Sequence, residues 1–359
     1  MVSYGLAGGY ETVFRESMAS TIHDVARRAR VSIATVSRVL NDTCPVHEDK
    51  RRRVWDAVHA LGYTPNPVAR SLLKQKTGGV GVVLPYVWGE FFSQLLVGID
   101  EAAHERDFFL LISASHRSEA ELQTVLQSMY KRVDGLVVMA TQVTAEAVQT
   151  LLPAEVPVVF VNTQSLSKAF DTFDFGNYEG MYKMTSHLLK LGHRRIVFAK
   201  GPPGAYDGGQ RLLGYRAALD EMGIERTAEL EIDAGFSPEA GYEAAQDLLA
   251  LEPLPTAVVA VNDYCATGVM SALREAGVRV PEDVSVAGFD GIPSARFTSP
   301  PLSTVYVPIR EIGGEAIARL IDHLQNPSAW EPKPHLFPEK LVLRQSTAAS
   351  PDTAQTKAS

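Results

Sequence analysis

Short apolar runs of strand length alternate with helix-like segments along most of this chain. The apolar runs fall at residues 80–84, 108–112, 136–139, 156–161, 196–198, 257–261 and 284–288. Strands that are apolar throughout are buried on both faces, as in parallel sheets covered by helices. The pattern therefore predicts an α/β core with helices on both faces, and the number of units indicates two parallel sheets instead of one.

The segment from residue 20 to 64 has a different pattern, typical of three short helices. Apolar residues recur with helical spacing from Ile22 and again from Val36, and Ser32 between them is a good N-cap. A third amphipathic segment runs from about residue 48 to 61 and ends at Gly62. Three short helices with a tight turn between the first two predict an all-α helix-turn-helix head.

Charge is distributed unevenly between these two parts. The whole chain has 34 Lys/Arg, 42 Asp/Glu and a net charge of -8, whereas residues 20–78 hold 11 Lys/Arg and only 5 Asp/Glu. A small basic head on a large acidic body is the charge pattern of a nucleic-acid-binding module on a separate folded domain.

Specific motifs place the chain near a known family. The segments TIHDVARRARVSIATVSRVLN (residues 21–41) and LGYTPNPVARSLL (residues 61–73), and later RRVDGLVV, LGHRRIVF and VPEDVSVAGFD, resemble the lactose-repressor (LacI/GalR) family of bacterial transcriptional regulators. The resemblance covers roughly residues 21–345. It implies a two-lobed core like that of periplasmic sugar-binding proteins, joined to the DNA-binding head by a hinge.

This organisation gives the expected domain boundaries. Residues 1–19 are expected to be a disordered leader or the product of a mis-set start, with Met18 as the natural start. The helix-turn-helix domain is expected at 20–64, the hinge at 65–78 and the effector-binding and dimerisation core at 79–345. Residues 346–359, rich in Ser, Thr and Ala, are expected to form a flexible tail.

In helix-turn-helix units the second helix enters the major groove with its N-terminal residues at base edges. Arg38 is expected to contact guanine, and Ile33 and Ala34 to make apolar contacts, for example with a thymine methyl group. The other residues expected on the DNA-binding surface are short hydrogen-bonding groups suited to phosphate and one aromatic residue: Ser32, Thr35, Ser37, Asn41 and Tyr63. The basic run at residues 50–53 is either a phosphate-binding element or a solvated helix face.

The hinge is expected to contact DNA as well. The resemblance implies that a short helix following Pro67 folds on operator DNA and that Leu72 enters the minor groove as a wedge that kinks the duplex. Asn66 and Ala69 belong to the same predicted contact surface.

Two arguments select the candidate effector-binding residues. One is position after an apolar run, since ligands of open α/β sheets bind at the carboxyl ends of strands. The other is the resemblance, which implies effector contacts at Asn162, Arg211, Phe236 and Asp263. Trp88 is a candidate for stacking on a sugar ring or a base, Arg211 for clamping an anion or a hydroxyl pair, and Asp263 for accepting from vicinal hydroxyls or for capping the next helix. The remaining candidates are Phe91, Ser113, Asn162, Phe236 and Asp290.

These features predict a cytoplasmic, nucleoid-associated repressor that binds double-stranded operator DNA as a homodimer and responds to a small-molecule effector, most simply a sugar. A nucleobase-responsive repressor, a transport-type solute-binding protein and an enzyme with a regulatory head, such as a sugar kinase, are the alternatives. No catalytic motif, metal site, cofactor motif or membrane span is recognisable. The only two cysteines, Cys44 and Cys265, argue against a disulfide framework.

Overall fold

The computed structural model describes residues 20–41, 44–64 and 76–351. The chain divides into two compact units, Met1–Thr77 and Gly78–Ser359, and each is described by itself.

The described residues of the first unit form three helices: α1 (Ile22–Ala29), α2 (Ile33–Asn41) and α3 (Glu48–Leu61). The side chain of Thr21 caps α1 in a capping box with Asp24, which satisfies amide groups at the helix start. Val25, Val36 and Val54, one from each helix, are fully buried in a common core. The periodicity of the sequence predicted this all-α head correctly.

The first lobe of the second unit is built on a six-stranded parallel sheet in the order β11-β5-β4-β3-β1-β2. Its elements are β1 (Gly79–Leu84), α4 (Glu90–His104), β2 (Phe109–Ala114), α5 (Glu119–Met129), β3 (Gly135–Val138), α6 (Ala145–Thr150), β4 (Val158–Val161), β5 (Asp171–Phe175), α11 (Ile309–Gln325) and β11 (Pro334–Phe337).

The second lobe repeats this architecture with the sheet order β12-β10-β9-β8-β6-β7. Its elements are α7 (Asn177–Lys190), β6 (Ile196–Lys200), α8 (Tyr206–Glu221), β7 (Glu231–Asp233), α9 (Pro238–Leu249), β8 (Ala257–Ala260), α10 (Asp263–Glu275), β9 (Ser285–Asp290), β10 (Ser303–Tyr306) and β12 (Lys340–Val342). All pairings are parallel except that of β12 with β10.

The chain crosses between the lobes after β5, after β10 and after β11. The two predicted sheets and their strands at the seven apolar runs are therefore confirmed. Strands β5, β7, β10, β11 and β12 were missed because they are short or mix polar with apolar residues. The segment DTFDF of β5 is one example.

The predicted flexible tail is wrong for residues 346–351, which the structure holds against the second lobe. Ser346 is fully buried, and its hydroxyl donates to the carbonyl oxygen of Val286 and accepts from the amide of Ser303. Ser350 is also fully buried, and its amide donates to the Leu191 carbonyl. Small hydroxyl residues fit closely against strands β9 and β10, so composition alone misread them as loose. Residues 352–359 lie outside the described residues. None of the described helices combines the length and apolar character that crossing a bilayer requires.

Candidate functional site

The start of α2 presents an exposed surface on the head. Ile33, which is 41% exposed, lies on it together with the exposed Ala34 and Arg38. Val36 and Val39, on the opposite face of the helix, are buried in the head core. The fold therefore places the two apolar candidates and the guanidinium candidate on one accessible face, as a base-reading helix requires.

Ser32 and Thr35 are linked to each other at the start of the same helix. The hydroxyl oxygen of Ser32 accepts from the Thr35 amide, and the two hydroxyl groups lie 2.9 Å apart. Ser32 is exposed and Thr35 half-buried, so the pair forms a cap at the edge of the α2 surface. Ser37 is half-buried on the next turn.

Tyr63 packs against the core of the head, and its amide donates to the Val58 carbonyl. Burial raises the pKa of its phenol. The tyrosine thus has a packing role that the sequence did not reveal. The predicted contacts of Asn66, Ala69 and Leu72 lie outside the described residues, as does the side chain of Asn41.

The basic run of α3 is largely exposed: Lys50, Arg52 and Arg53 are all accessible, and Arg52 donates to Asp49 at 3.3 Å.

A cavity of about 600 Å³, including its open mouth, lies between the two lobes of the core. Its walls carry six aromatic side chains: Tyr86, Trp88, Phe91, Phe92, Phe236 and Tyr264. Six polar or charged residues join them: Arg117, Thr141, Asp207, Arg211, Asn262 and Asp290. Both lobes contribute to each set, and this combination of aromatic faces with a few polar groups is typical of small-molecule sites.

The predicted clamp, Arg211, is 2% exposed and lies in a dense network. Its Nε donates to the side-chain oxygen of Asn177 at 2.9 Å, and Nη1 donates to the Val261 carbonyl at 2.7 Å. Nη2 pairs with Asp290 at 3.1 Å, and the guanidinium carbon lies 3.8 Å from the centre of the Phe289 ring. The guanidinium is therefore fixed by the protein itself at the floor of the cavity.

Burial dominates the titration of the carboxylates in this region. It raises the pKa of Asp290 to about 7, against the opposing effect of the Arg211 charge. Burial and then the nearby Asp290 raise the pKa of Asp263 to about 8.

Asp263 does not line the cavity, which corrects its predicted role as a ligand contact. It is fully buried, and its carboxylate accepts from the Thr304 hydroxyl at 2.5 Å and the Ile292 amide at 2.9 Å. The preceding residue, Asn262, caps α10 by accepting from the Cys265 amide, and it is Asn262 that lines the cavity. The first residue of the helix, Asp263, points into the lobe, so the cavity wall holds its neighbour Asn262 instead.

Two other candidates also lie away from the cavity wall. Ser113 is half-buried within β2 and is not among the lining residues. Asn162 is buried behind the wall, where its side-chain oxygen accepts from Asn177 Nδ2 at 2.8 Å. Because Asn177 in turn accepts from Arg211, Asn162 supports the guanidinium indirectly. Trp88, Phe91, Arg211, Phe236 and Asp290 do line the cavity.

The sequence did not point to Arg117, Thr141, Asp207 or Tyr264. Each lies near a strand end or a helix start that faces the other lobe, so position after an apolar run was a usable signal for Arg117 and Thr141. Tyr264 needs knowledge of the lobe arrangement, because its hydroxyl accepts from the amide of Glu90 in the opposite lobe.

Further hydrogen bonds join the two lobes at the edge of the cavity. Glu90 Oε2 accepts from the Ser294 amide at 2.8 Å, and the Tyr206 amide donates to the Thr141 carbonyl at 2.8 Å. The cavity is therefore enclosed by direct contacts between lobes as well as by its lining.

A helix-turn-helix head and a two-lobed α/β core with a cavity between its lobes define the class of DNA-binding transcription regulators. Family models agree: "Bacterial regulatory proteins, lacI family" matches residues 21–66, and "Periplasmic binding protein-like domain" matches residues 185–347. The chain belongs to the lacI family of bacterial regulatory proteins. The lacI-family head overturns the alternative of a transport-type solute-binding protein without a DNA-binding role.

Individual relatives cover nearly the whole chain. The HTH-type transcriptional repressor PurR of Actinobacillus pleuropneumoniae serotype 3 is 33% identical over 329 residues, which are 91% of this chain and 98% of that protein. The lac repressor dimer bound to operator and the anti-inducer ONPF has a TM-score of 0.83 at 30% identity, covering 92% of this chain and 100% of that one. The complex of the transcriptional regulator CelR with cellobiose has a TM-score of 0.69 at 29% identity, covering 91% and 99%.

Proposed function

We propose that this regulator is a repressor that binds a pseudo-palindromic operator as a homodimer and is controlled by a carbohydrate bound between its lobes. The observation that carries the effector proposal is the composition of the cavity wall. Trp88 and Phe236 offer ring faces to the apolar side of a sugar, while Asp207 and Asn262 offer polar groups to its hydroxyls. The structurally similar CelR complex contains cellobiose.

Control follows from the position of the cavity. A ligand that contacts Trp88 in one lobe and Phe236 in the other favours one degree of lobe closure over another. The segment from the head enters the first lobe at Gly78, immediately before β1. A change in the arrangement of the lobes therefore moves the point at which this segment is attached. Linkage requires effector and operator to alter each other's binding by the same factor.

The dimer is supported by the symmetry argument for DNA recognition. Two heads related by a two-fold axis read two half-sites related by the same axis, which gives a pseudo-palindromic operator. A structurally similar relative, the lac repressor, is a dimer on its operator. The direction of regulation is supported by relatives that are named repressors.

The test is selection of operator sequences from a random duplex library by the full chain, followed by anisotropy titrations with and without a carbohydrate panel. The proposal expects a symmetric consensus, two chains per duplex and a change in operator affinity with at least one carbohydrate. An asymmetric consensus bound by one chain contradicts the dimer.

A nucleobase effector is the second candidate, because six aromatic side chains on the wall would also stack on a flat heteroaromatic ring. Nucleobases are therefore included in the same titrations. A response to a nucleobase with no response to any carbohydrate selects this candidate over the first.

A further inference from the structure

Arg117, in the loop between β2 and α5, differs from Arg211 in what its guanidinium contacts. The guanidinium carbon of Arg117 lies 5.0 Å from the centre of the Phe236 ring, so a cation of the first lobe rests on an aromatic ring of the second. Within the described part of the chain no hydrogen bond or ion pair involves this side chain, and it lines the cavity. A guanidinium carries five N–H donors, and contact with a ring face uses none of them as hydrogen bonds.

The backbone that presents Arg117 has an uncommon conformation at two consecutive residues. His116 and Arg117 are consecutive non-glycine residues with φ of 45° and 58°, in the left-handed region. The loop is held at both ends: the Ser115 amide donates to the Leu84 carbonyl, and Ser118 caps α5 by accepting from the Glu121 amide. His116 Nδ1 also lies 2.7 Å from Glu121 Oε2. Strain of this kind concentrates at binding sites, where it fixes one side chain in place.

Arg211, the other guanidinium on the wall, is already engaged. Its three nitrogens contact Asn177, Val261 and Asp290, so three of its five N–H donors are used and its charge already faces the Asp290 carboxyl group. A negatively charged group entering the cavity therefore has Arg117 as its available cation among the described lining residues.

Another part of the wall carries buried oxygen atoms that can accept hydrogen bonds from a ligand. Asp207, 9% exposed at the start of α8, has a buried Oδ1 with no hydrogen-bond partner among the described residues. The hydroxyl of Thr141, which is 2% exposed, is likewise without a partner in the described part of the chain. Buried polar atoms without partners are costly, and a ligand hydroxyl beside each would satisfy them.

We propose that the effector is an anionic carbohydrate, a sugar acid or a sugar phosphate, whose negative group pairs with Arg117 and whose hydroxyls donate to Asp207 and Thr141. This inference rests on the proposed function, since it specifies the class of carbohydrate bound at the same site. It makes Arg117 the residue that distinguishes charged from neutral sugars.

The experiment measures thermal unfolding and equilibrium binding of the full chain with sets of ligands that share one sugar ring. Each set contains the neutral sugar, its uronic acid, its 6-phosphate and its 2-amino derivative, on glucose, galactose and mannose rings. An acid or phosphate is expected to bind at least tenfold more tightly than the neutral sugar of the same set. The carboxylate and phosphate arms distinguish the two sources of negative charge.

Variants then identify the residue that distinguishes charged from neutral sugars. Arg117→Gln should reduce affinity for the charged ligand to that of the neutral sugar, and Arg117→Lys should retain part of the preference. Arg132→Gln, an exposed arginine of the same lobe, is the matched control and should change neither affinity. Asp207→Asn should weaken neutral and charged sugars together.

The outcomes separate three statements: that a carbohydrate controls the protein, that this carbohydrate is anionic, and that Arg117 recognises its charge. If neutral sugars bind as tightly as their acids, or if amino sugars bind most tightly, the anionic class is wrong while carbohydrate control stands. If no member of any set binds, carbohydrate control and the anionic class are both wrong. A charge preference that survives in Arg117→Gln overturns the role of Arg117 alone.

Discussion

Nη2 of Arg211 lies 3.1 Å from Oδ1 of Asp290, and both side chains are almost completely enclosed, at 2% and 8% exposure. The pair joins the start of α8 to the end of β9 beneath the cavity. Buried ion pairs contribute little net stability, but loss of one partner leaves a charge in a medium that solvates it poorly.

We therefore expect Arg211→Gln to lower the free energy of unfolding of the core by about 3–5 kcal/mol near pH 8. The loss should be smaller at pH 6, because burial raises the pKa of Asp290 to about 7 even beside Arg211, so the carboxyl is largely protonated at that pH in both proteins and no charge is left unpaired. Urea denaturation at the two pH values measures both effects.

The matched control is Arg279→Gln, which removes an exposed arginine paired with Asp283. Exposed pairs of this kind contribute about 0.2–1 kcal/mol. Equal losses for the buried and the exposed arginine would show that the enclosed pair has no special energetic role.

A second prediction concerns Asp263, whose pKa burial raises to about 8. The unfolded chain has a pKa near 3.9 for this group, so the folded chain binds more protons between these values. Stability contributed by the protonated form is therefore lost as pH rises from about 4 to 8, by at most about 1.4 kcal/mol per pH unit. Asp263→Asn lacks this titration, so the stability of the wild type relative to the variant should fall between pH 5 and 8.

Asp283→Asn is the control for that series. Hydrogen bonds from Arg279 lower the pKa of Asp283 to about 2, so the stability it contributes is lost only at acidic pH. Its difference from the wild type should stay constant between pH 5 and 8. A constant difference for Asp263→Asn as well would contradict the burial of an ionisable carboxyl at this position.

The third prediction separates base reading from phosphate binding in the head. Arg38→Ala should relax specificity at one base pair of each half-site, with a loss of about 1–3 kcal/mol for the preferred base. Lys50→Ala should weaken all duplexes to a similar extent and reduce the slope of log affinity against log salt by about 0.9 for each phosphate that the variant no longer neutralises. Anisotropy titrations on single-base operator variants at several salt concentrations measure both. A smaller salt slope in Arg38→Ala with an unchanged base preference would reverse the two roles.

The head and the core strands were predictable because each depends on local periodicity. Within each helix, the spacing of apolar residues around Val25, Val36 or Val54 predicts which face is buried, and the apolar runs predict strands covered on both faces. Strand β12 was missed because a three-residue strand at a sheet edge has no periodicity to read.

The cavity was only partly predictable, because a wall between two lobes combines residues distant in sequence. Arg211 and Phe236, which the resemblance indicated, do line the cavity, whereas at the start of α10 the wall holds Asn262 and not the predicted Asp263. Which of two adjacent residues points into a cleft depends on the start of the helix that carries them. The pairing of Tyr264 with Glu90 depends on how the lobes meet.

The fourth prediction compares two helical glycines, one packed against the backbone of another helix and one with open space around it. A Cβ at Gly98, in α4, would lie 1.9 Å from the carbonyl oxygen of Arg310 in α11, whereas a Cβ at Gly209, in α8, would meet no atom within 4 Å. Gly98→Ala should separate the two packed helices and lower the free energy of unfolding by roughly 1–3 kcal/mol or more, because a backbone atom cannot move aside as a side chain can. Gly209→Ala should instead raise it by about 0.5–1 kcal/mol through helix propensity. Urea denaturation of both variants compares the same chemical change at the two sites. Equal effects would show that the close approach of α4 and α11 is not what requires glycine at residue 98.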